Sequence, residues 1–182
     1  MSDKKLQFMR GYLIGVRYTD GSLFFDNYHR SWKFQLQAID KEMVNYTREC
    51  FKELFGRSLT LQKCKRKTNA NKIVWQVSTY VQKIKDTFDI ENIKTKEEKR
   101  GFISAFYDAE GSLLFDKRKK NAWRIQFACE NERLKLFLSN LLNKLGFVNS
   151  NYKHKVGLLN GTEGVKLFLN FFTPKIKRKR FV

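Results

Sequence analysis

The segment GYLIGVRYTDGSL at residues 11–23 recurs ninety residues later as GFISAFYDAEGSL at residues 101–113. Both copies are apolar, helix-like runs that end in an acidic residue followed by Gly-Ser-Leu. The acid is Asp20 in the first copy and Glu110 in the second. A repeat of this kind predicts two similar halves. We expect the halves to face each other and to bring the two acids together.

The residues after the first copy predict alternating strands and helices. The strand predicted at 31–38 places Trp32, Phe34, Leu36 and Ala38 on one face. This alternation predicts that one face of the strand packs in the core and that the other faces solvent. Asp40 as N-cap and Gly56 as terminator bound the next helix. The ranges predicted for the first half are a helix at 6–19, strands at 22–28 and 31–38, a helix between Asp40 and Gly56, strands at 59–65 and 72–77, and a short helix at 78–88.

The second half repeats this order, and its segment Trp123–Phe127 matches Trp32–Leu36 of the first. Its predicted ranges are a helix through Ala109, strands at 112–116 and 122–128, a helix at 131–145, strands at 148–155 and 156–159, and a helix at 161–172. Thr95 and Glu98 have the capping-box spacing that begins a helix. The sequence thus predicts an α+β fold of tandem αββαββα repeats with two antiparallel sheets, divided into a first half at 1–88, a linker at 89–94, a second half at 95–174 and a basic tail at 175–182.

The composition indicates a polyanionic partner. The 182 residues contain 37 Lys and Arg against 18 Asp and Glu, a formal charge of +19, which exceeds what solubility requires. Nucleic acid is the first candidate. A membrane-bound class is disfavoured, because no apolar run approaches the ~20 residues that span a bilayer. The amino-terminal residues do not resemble a signal peptide, so we expect an intracellular protein.

The Cys and His residues predict neither a disulfide framework nor a zinc site. The three cysteines lack CxxC or Cys/His spacing, and the two histidines match no ligand or catalytic pattern. We expect reduced, structural cysteines and surface or packing roles for the histidines. A basic tail such as 175–182 is most often disordered, and it is given no specific role. The cysteines and histidines are Cys50, Cys64, Cys129, His29 and His154.

Small residues recur at every fourth position of both repeated helices. Such stripes let two helix backbones approach more closely than usual. The acids would then lie at adjacent helix C-termini, where two anions need a cation, and oxygen ligands suit Mg²⁺. The alternative is that each acid merely belongs to a turn, but duplication at one register favours a joint site. The small residues are Gly11, Gly15 and Thr19 in the first helix and Gly101, Ala105 and Ala109 in the second.

The segments at 13–21 and 103–111 resemble the paired motifs of the LAGLIDADG homing endonucleases, and the order of elements extends the resemblance over the chain. It is greatest to the small single-chain, two-motif members of the archaeal intron-encoded type. The resemblance implies motif helices at a central interface with pseudo-two-fold symmetry, two sheets forming a saddle over double-stranded DNA, and a monomer. It implies double-strand hydrolysis that leaves short 3′ overhangs, for intron mobility.

The resemblance also implies how the site is built. Asp20 and Glu110 would be catalytic and would hold Mg²⁺, with Mn²⁺ or Ca²⁺ as substitutes in binding, together with the main-chain carbonyls of Thr19 and Ala109. Many family members carry Gln or Lys near the end of the second strand of each half, where this chain has Ala38 and Cys129. Gln37, Gln126 or Lys117 could act in their place.

The polar face of the strands has base-reading chemistry, since Arg and Lys suit guanine and phosphate while Gln suits adenine. Lys33 in the first repeat occupies the position equivalent to Arg124 in the second, and Gln35 occupies the position equivalent to Gln126. A cluster of lysines and one arginine between two strands is expected to hold the phosphate backbone. The predicted DNA-binding residues are Lys33, Gln35, Gln37, Lys63, Lys65, Arg66, Lys67, Lys72, Gln76, Lys117, Arg124 and Gln126.

Two other functions remain open on the same fold. One is an RNA-splicing maturase that binds its intron RNA, which can coexist with an intact nuclease site. The other is a DNA-binding regulator without catalysis, which the presence of both acids disfavours.

Overall fold

The computed structural model describes residues 2–64, 72–116, 122–158 and 161–180. The chain divides into two compact units, Met1–Ala105 and Phe106–Val182. Five helices and eight strands lie in the described residues. They are α1 (Asp3–Arg17), β1 (Gly21–Asp26), β2 (Ser31–Ala38), α2 (Lys41–Phe55), β3 (Gln62–Lys63), β4 (Trp75–Tyr80), α3 (Lys96–Glu110), β5 (Gly111–Asp116), β6 (Ala122–Ala128), α4 (Glu132–Lys144), β7 (Asn149–Tyr152), β8 (Lys155–Leu158) and α5 (Gly161–Phe172).

The first unit is built on an antiparallel sheet of order β1-β2-β4-β3. Phe34, Leu36 and Val77 project from one face of β2 and β4 and are fully buried. Their core is aromatic: the Phe34 ring lies 5.1 Å from that of Phe51 on α2 and 5.3 Å from that of Phe88. Alternation along the strands therefore separates an apolar face from a polar one, as the sequence predicts.

The second unit repeats this topology, with an antiparallel sheet of order β5-β6-β8-β7. The register is also repeated. Gly21 pairs with Leu36 in the first sheet, and Gly111 pairs with Phe127 in the second. Ile125 and Phe127 are buried, and the Phe127 ring lies 5.8 Å from that of Phe168 on α5. The predicted α+β class with two antiparallel sheets is confirmed.

Glycines let α1 approach α3 closely within the first unit, to which α3 contributes its residues up to Ala105. A Cβ added at Gly11 would lie 2.0 Å from the Glu98 carbonyl oxygen, and one added at Gly101 would lie 2.0 Å from that of Phe8. At Gly15 a Cβ would lie 2.7 Å from the Cβ of Ala105. Backbone packs on backbone here, so a larger side chain has no space.

The predicted capping box begins α3. The Glu98 backbone N–H donates to Thr95 Oγ1 at 3.1 Å, and the Thr95 N–H donates to Glu98 Oε2 at 2.8 Å. Glu98 is almost fully buried, and its other carboxylate oxygen lies 3.3 Å from the guanidinium of Arg10 on α1. The capping residue thus also ties the start of α3 to α1.

Several predicted boundaries differ from the structure, and three of them change the type or extent of an element. The short helix predicted at 78–88 is wrong in its first part, because residues 78–80 continue β4 and pair with residues 33–35 of β2. In its second part only Lys85–Phe88 is helical, as a three-ten turn. The strand expected at 148–155 ends at Tyr152, because Lys153 has a φ of 45° and begins the turn to β8. In the described part of the first sheet, the strand expected from Leu59 is confined to β3.

Candidate functional site

Asp20 follows the last turn of α1 directly. The helix ends at Arg17 with Tyr18 as its C-cap, and the Thr19 hydroxyl donates to the carbonyls of Gly15 at 3.0 Å and Val16 at 3.3 Å. The same carbonyls accept the backbone N–H groups of Tyr18 and Thr19, so the hydroxyl adds a side-chain bond to the closing turn of the helix. Thr19 therefore anchors the turn, and Asp20 projects from it as an exposed side chain.

Glu110 is the last residue of α3 and is half-buried. The residue after each acid must be glycine for a steric reason. A Cβ at Gly21 would lie 2.6 Å from the Val16 carbonyl oxygen, and a Cβ at Gly111 would lie 2.1 Å from the Tyr107 ring. Each glycine lets the strand start directly against the helix that it leaves. Both acids therefore occupy the same position, between a helix end and the first strand of a sheet.

A lysine from the C-terminal tail covers the end of α3. The Lys179 ammonium group donates to four main-chain carbonyl oxygens, those of Asp108 at 2.6 Å, Gly111 at 2.9 Å, Tyr107 at 3.1 Å and Ala109 at 3.2 Å. A cation at this position complements the negative end of the helix dipole. The carbonyl of Ala109, predicted as a metal ligand, thus already faces one cation.

The tail that carries Lys179 is packed on α3, contrary to the disorder expected of it. The Asp108 side chain is only 1% exposed. Its carboxylate accepts hydrogen bonds from the backbone N–H groups of Lys175 at 2.9 Å and Ile176 at 3.1 Å. The Ile176 side chain is fully buried, and the Tyr107 hydroxyl donates to the Lys179 carbonyl at 2.9 Å. Burial raises the pKa of Tyr107, which keeps its hydroxyl a donor. Asp108 therefore has a structural role, because it holds the tail against α3.

The polar faces of the sheets carry the predicted DNA-contacting side chains. Gln37 and Gln76 are cross-strand neighbours, and the Gln37 amide donates to Gln76 Oε1 at 2.7 Å. Lys33 is half-buried, with its ammonium 5.7 Å from the centre of the Tyr80 ring. Arg124 of β6 is exposed.

The remaining predicted contacts divide into described and undescribed positions. Lys63 and Lys72 are exposed, and Gln35 and Gln126 are half-buried on the faces opposite the core residues. Lys65, Arg66, Lys67 and Lys117 lie outside the described residues. The role of these side chains in DNA binding stays a prediction.

The two positions at which the family resemblance leads one to expect Gln or Lys are filled by small buried side chains. Ala38 and Cys129 are each 7% exposed. Burial raises the pKa of the Cys129 thiol, which makes this group a packing residue rather than an anion. Gln37 and Gln126 lie on the opposite face of each sheet.

A cluster at the β1–β2 turn has no signal in the sequence patterns. Asp26 accepts the backbone N–H groups of Tyr28 at 3.1 Å and His29 at 3.2 Å, and its second oxygen accepts the Tyr80 hydroxyl at 2.9 Å. The His29 ring lies 3.0 Å from the same carboxylate. The His29 backbone N–H, then the His29 ring and Tyr80, lower the pKa of Asp26 to about 2. An Asp before a turn could suggest the local bonds, but not Tyr80, which lies 54 residues away.

This cluster predicts a pH-dependent contribution to stability. Because the folded pKa of Asp26 lies below its ordinary value of 3.8, the carboxylate stabilises the fold above about pH 4, and this is lost as the pH falls towards 2. Urea unfolding of the wild type and of Asp26→Asn should therefore differ most above about pH 4 and converge below it. Asp86→Asn is the charge-matched control. A difference that stays constant down to about pH 2.5 would contradict the assignment.

Comparison with known proteins agrees with this architecture. Residues 97–170 match the model of the LAGLIDADG-like domain family. An uncharacterized protein of Methanocaldococcus jannaschii is 27% identical over 140 residues, which is 74% of this chain and 47% of that protein. The chain therefore spans about half the length of the curated relative that it matches. Among the described residues, no helix combines the length and apolar character needed to cross a bilayer.

Solved structures share the fold over nearly the whole chain. The homing endonuclease I-DmoI in complex with DNA and Mn is 19% identical with a TM-score of 0.63, covering 94% of this chain and 98% of that one. I-WcaI bound to its DNA recognition sequence is 19% identical with a TM-score of 0.66, covering 96% and 86%. The N-terminal LAGLIDADG domain of DUF199/WhiA is 9% identical with a TM-score of 0.64, covering 92% and 81%.

Further structures of I-DmoI contain its target DNA in the presence of Mg, and DNA with Ca. At these identities the similarity shows a common fold. The family match covers the second motif, and the structural matches extend over both. Residues 97–170 therefore match the LAGLIDADG-like domain family, and the chain shares the single-chain, two-motif fold of the LAGLIDADG homing endonucleases I-DmoI and I-WcaI.

Proposed function

We propose that this protein is a site-specific DNA endonuclease that makes a double-strand break in a long target and serves intron mobility. The observation that carries the proposal is the repeated acid. Asp20 and Glu110 each stand between a motif helix and the first strand of a polar-faced sheet, followed by a glycine that tolerates no side chain. Two structural neighbours with this fold are homing endonucleases in complex with DNA.

The donor groups at these positions fit a hard divalent cation. Each helix end offers a carboxylate and main-chain carbonyl oxygens, the ligands that Mg²⁺ prefers. At the second motif, four carbonyl oxygens already gather around the Lys179 ammonium, so this end of α3 is suited to positive charge. Each acid would hold a divalent ion at its own helix end, Asp20 together with the Thr19 carbonyl and Glu110 together with the Ala109 carbonyl. Bound there, Mg²⁺ would supply electrostatic stabilisation of the scissile phosphate and lower the pKa of water.

The remaining residues would position the DNA. Hydrogen bonds from Thr19 and Lys179 to main-chain carbonyls hold the two helix ends in place. The pair of Gln37 and Gln76 presents amides to a base edge, while Arg124 suits guanine. The lysines at 63 and 72, with Lys65, Arg66, Lys67 and Lys117 outside the described residues, would hold phosphates without reading sequence.

The direct test is a plasmid library that carries randomised target sequences, incubated with the protein and Mg²⁺. Linearised plasmids are sequenced at their ends. We expect one long recognition sequence and short 3′ overhangs, with Mn²⁺ supporting cleavage and Ca²⁺ supporting binding. DNA affinity should fall steeply with added salt, because many phosphates are neutralised. Random nicking without a recovered sequence would contradict the proposal.

A DNA-binding protein without nuclease activity is the second candidate, because a formal charge of +19 suits a polyanionic partner whether or not that partner is cut. It predicts tight, sequence-specific binding with no cleavage in any divalent cation. A maturase instead predicts tight binding to the intron RNA and faster splicing when protein is added. Cleavage, DNA-binding and RNA-splicing assays together distinguish these two functions from that of an endonuclease.

A further inference from the structure

The C-terminal tail delivers one ammonium group to the end of the second motif helix, at the proposed metal site. Helix ends leave their last carbonyl oxygens without partners in the helix. At α3 these are the carbonyls of residues 107–110, and Lys179 contacts three of them, those of residues 107–109, together with the Gly111 carbonyl. An ammonium has three N–H groups to share among four acceptors. The arrangement is a cation site made from the main chain and filled by the protein itself.

Several contacts hold this lysine in place. The residues before it are fastened to Asp108, with Ile176 fully buried. The carbonyl of Lys179 itself accepts the Tyr107 hydroxyl, and Arg180 Nε donates back to the Pro174 carbonyl at 2.9 Å. The backbone is thus anchored on both sides of Lys179. The ammonium is directed to the helix end by structure, not by the general attraction of a basic tail to an acidic surface.

The four contacts are unequal. The contact to Ala109 is the longest at 3.2 Å, and that to Asp108 is the shortest at 2.6 Å. Ala109 directly precedes Glu110, and its carbonyl is the proposed metal ligand of this motif. A divalent ion bound to Glu110 and the Ala109 carbonyl would share that oxygen with the ammonium. Two cations that share one acceptor repel each other, and partial burial reduces the screening of that repulsion by solvent.

We propose that Lys179 is a tethered competitor cation, which weakens divalent metal binding at the second motif and so sets the metal concentration that this motif requires. The proposal rests on the proposed endonuclease function, because it takes Glu110 and the Ala109 carbonyl as metal ligands. Lys179 is a positioning residue here and takes no part in the reaction itself. In the first motif, the helix-end carbonyls of Gly15 and Val16, which align with those of Ala105 and Phe106, accept a neutral threonine hydroxyl.

The test measures Mn²⁺ binding directly, by the electron paramagnetic resonance signal of free Mn²⁺. Mn²⁺ is titrated into complexes of each protein with pre-cut target DNA, so that no cleavage occurs during the measurement. Lys179→Met should bind Mn²⁺ about tenfold more tightly, the effect of removing one unit charge a few ångströms from a divalent ion. Lys179→Arg, which keeps the charge, should stay near the wild type. Lys177→Met removes the same charge from an exposed position of the same tail and should also leave the affinity unchanged.

The results separate the possible failures. A structural role alone predicts that Lys179→Met loosens the helix end and binds Mn²⁺ more weakly or equally, and either result would overturn the proposal. Circular dichroism melting checks that the variant is folded. If Lys179→Met is unchanged while Glu110→Gln loses Mn²⁺, the metal site stands and only the competition is wrong. If Glu110→Gln binds Mn²⁺ as the wild type does, the metal role of Glu110 fails as well.

Discussion

Replacing Asp20 with Asn, or Glu110 with Gln, should reduce double-strand cleavage by about a thousandfold or more while DNA affinity stays within a few-fold of the wild type. Each amide keeps the shape of the acid but loses the charge that holds a divalent cation. The DNA-contacting face is built from other side chains, on strands that the substitutions do not touch. Binding and catalysis should therefore separate.

The measurement compares single-turnover cleavage of the recovered target with binding in Ca²⁺. Glu53→Gln removes a carboxylate from an exposed position on α2 and is the charge-matched control. Full activity in both motif variants would refute the metal role of the two acids. If DNA binding is lost together with cleavage, the acids support the fold instead. Loss of a metal ligand alone should abolish cleavage without abolishing DNA binding.

A second large effect is expected at the helix glycines. In the interior of an exposed helix, Gly→Ala usually stabilises by about 1 kcal/mol. At Gly11 and Gly101 the sign should reverse, because the new Cβ would lie 2.0 Å from a carbonyl oxygen of the facing helix. Separating two backbones in a packed core destabilises by about 3 kcal/mol or more. Either variant should unfold at clearly lower urea concentration than the wild type.

Gly157→Ala is the matched control for this experiment. Gly157 lies in β8, and an added Cβ there would meet no atom within 4 Å. Its midpoint of unfolding should remain near that of the wild type. A stable Gly11→Ala protein would show that α1 and α3 can separate without cost, contrary to the close packing of their backbones.

The repeat made most of the fold predictable. Asp20 and Glu110 mark the same position in two copies, and the alternation around Trp32 and Trp123 placed the core and polar faces of both sheets. These signals are local and periodic, so they can be read along one stretch of chain. The capping box at Thr95 and Glu98 was readable for the same reason, since its two residues lie three positions apart.

The parts that sequence reasoning missed depend on distant partners. Residues 78–80 form a strand because β2 supplies an antiparallel partner for them, and that partner lies more than forty residues away in the chain. The basic tail has the composition of a disordered segment, yet the buried Asp108 carboxylate and the burial of Ile176 hold it. Lys179 is one of 37 basic residues, and nothing in its neighbours marks it. Only the carbonyls around its ammonium, far away in sequence, distinguish it from the rest.

The helix α3 is shared: its residues up to Ala105 pack with the first unit, and the remainder leads into the second. This has a consequence for engineering chimeras. A graft that joins the first half of this protein to the second half of a relative would import a foreign α3 against Gly11 and Gly15. The transferable module should instead begin after Ala105, so that the part of α3 that packs against α1 stays with its native partner while the second sheet is exchanged.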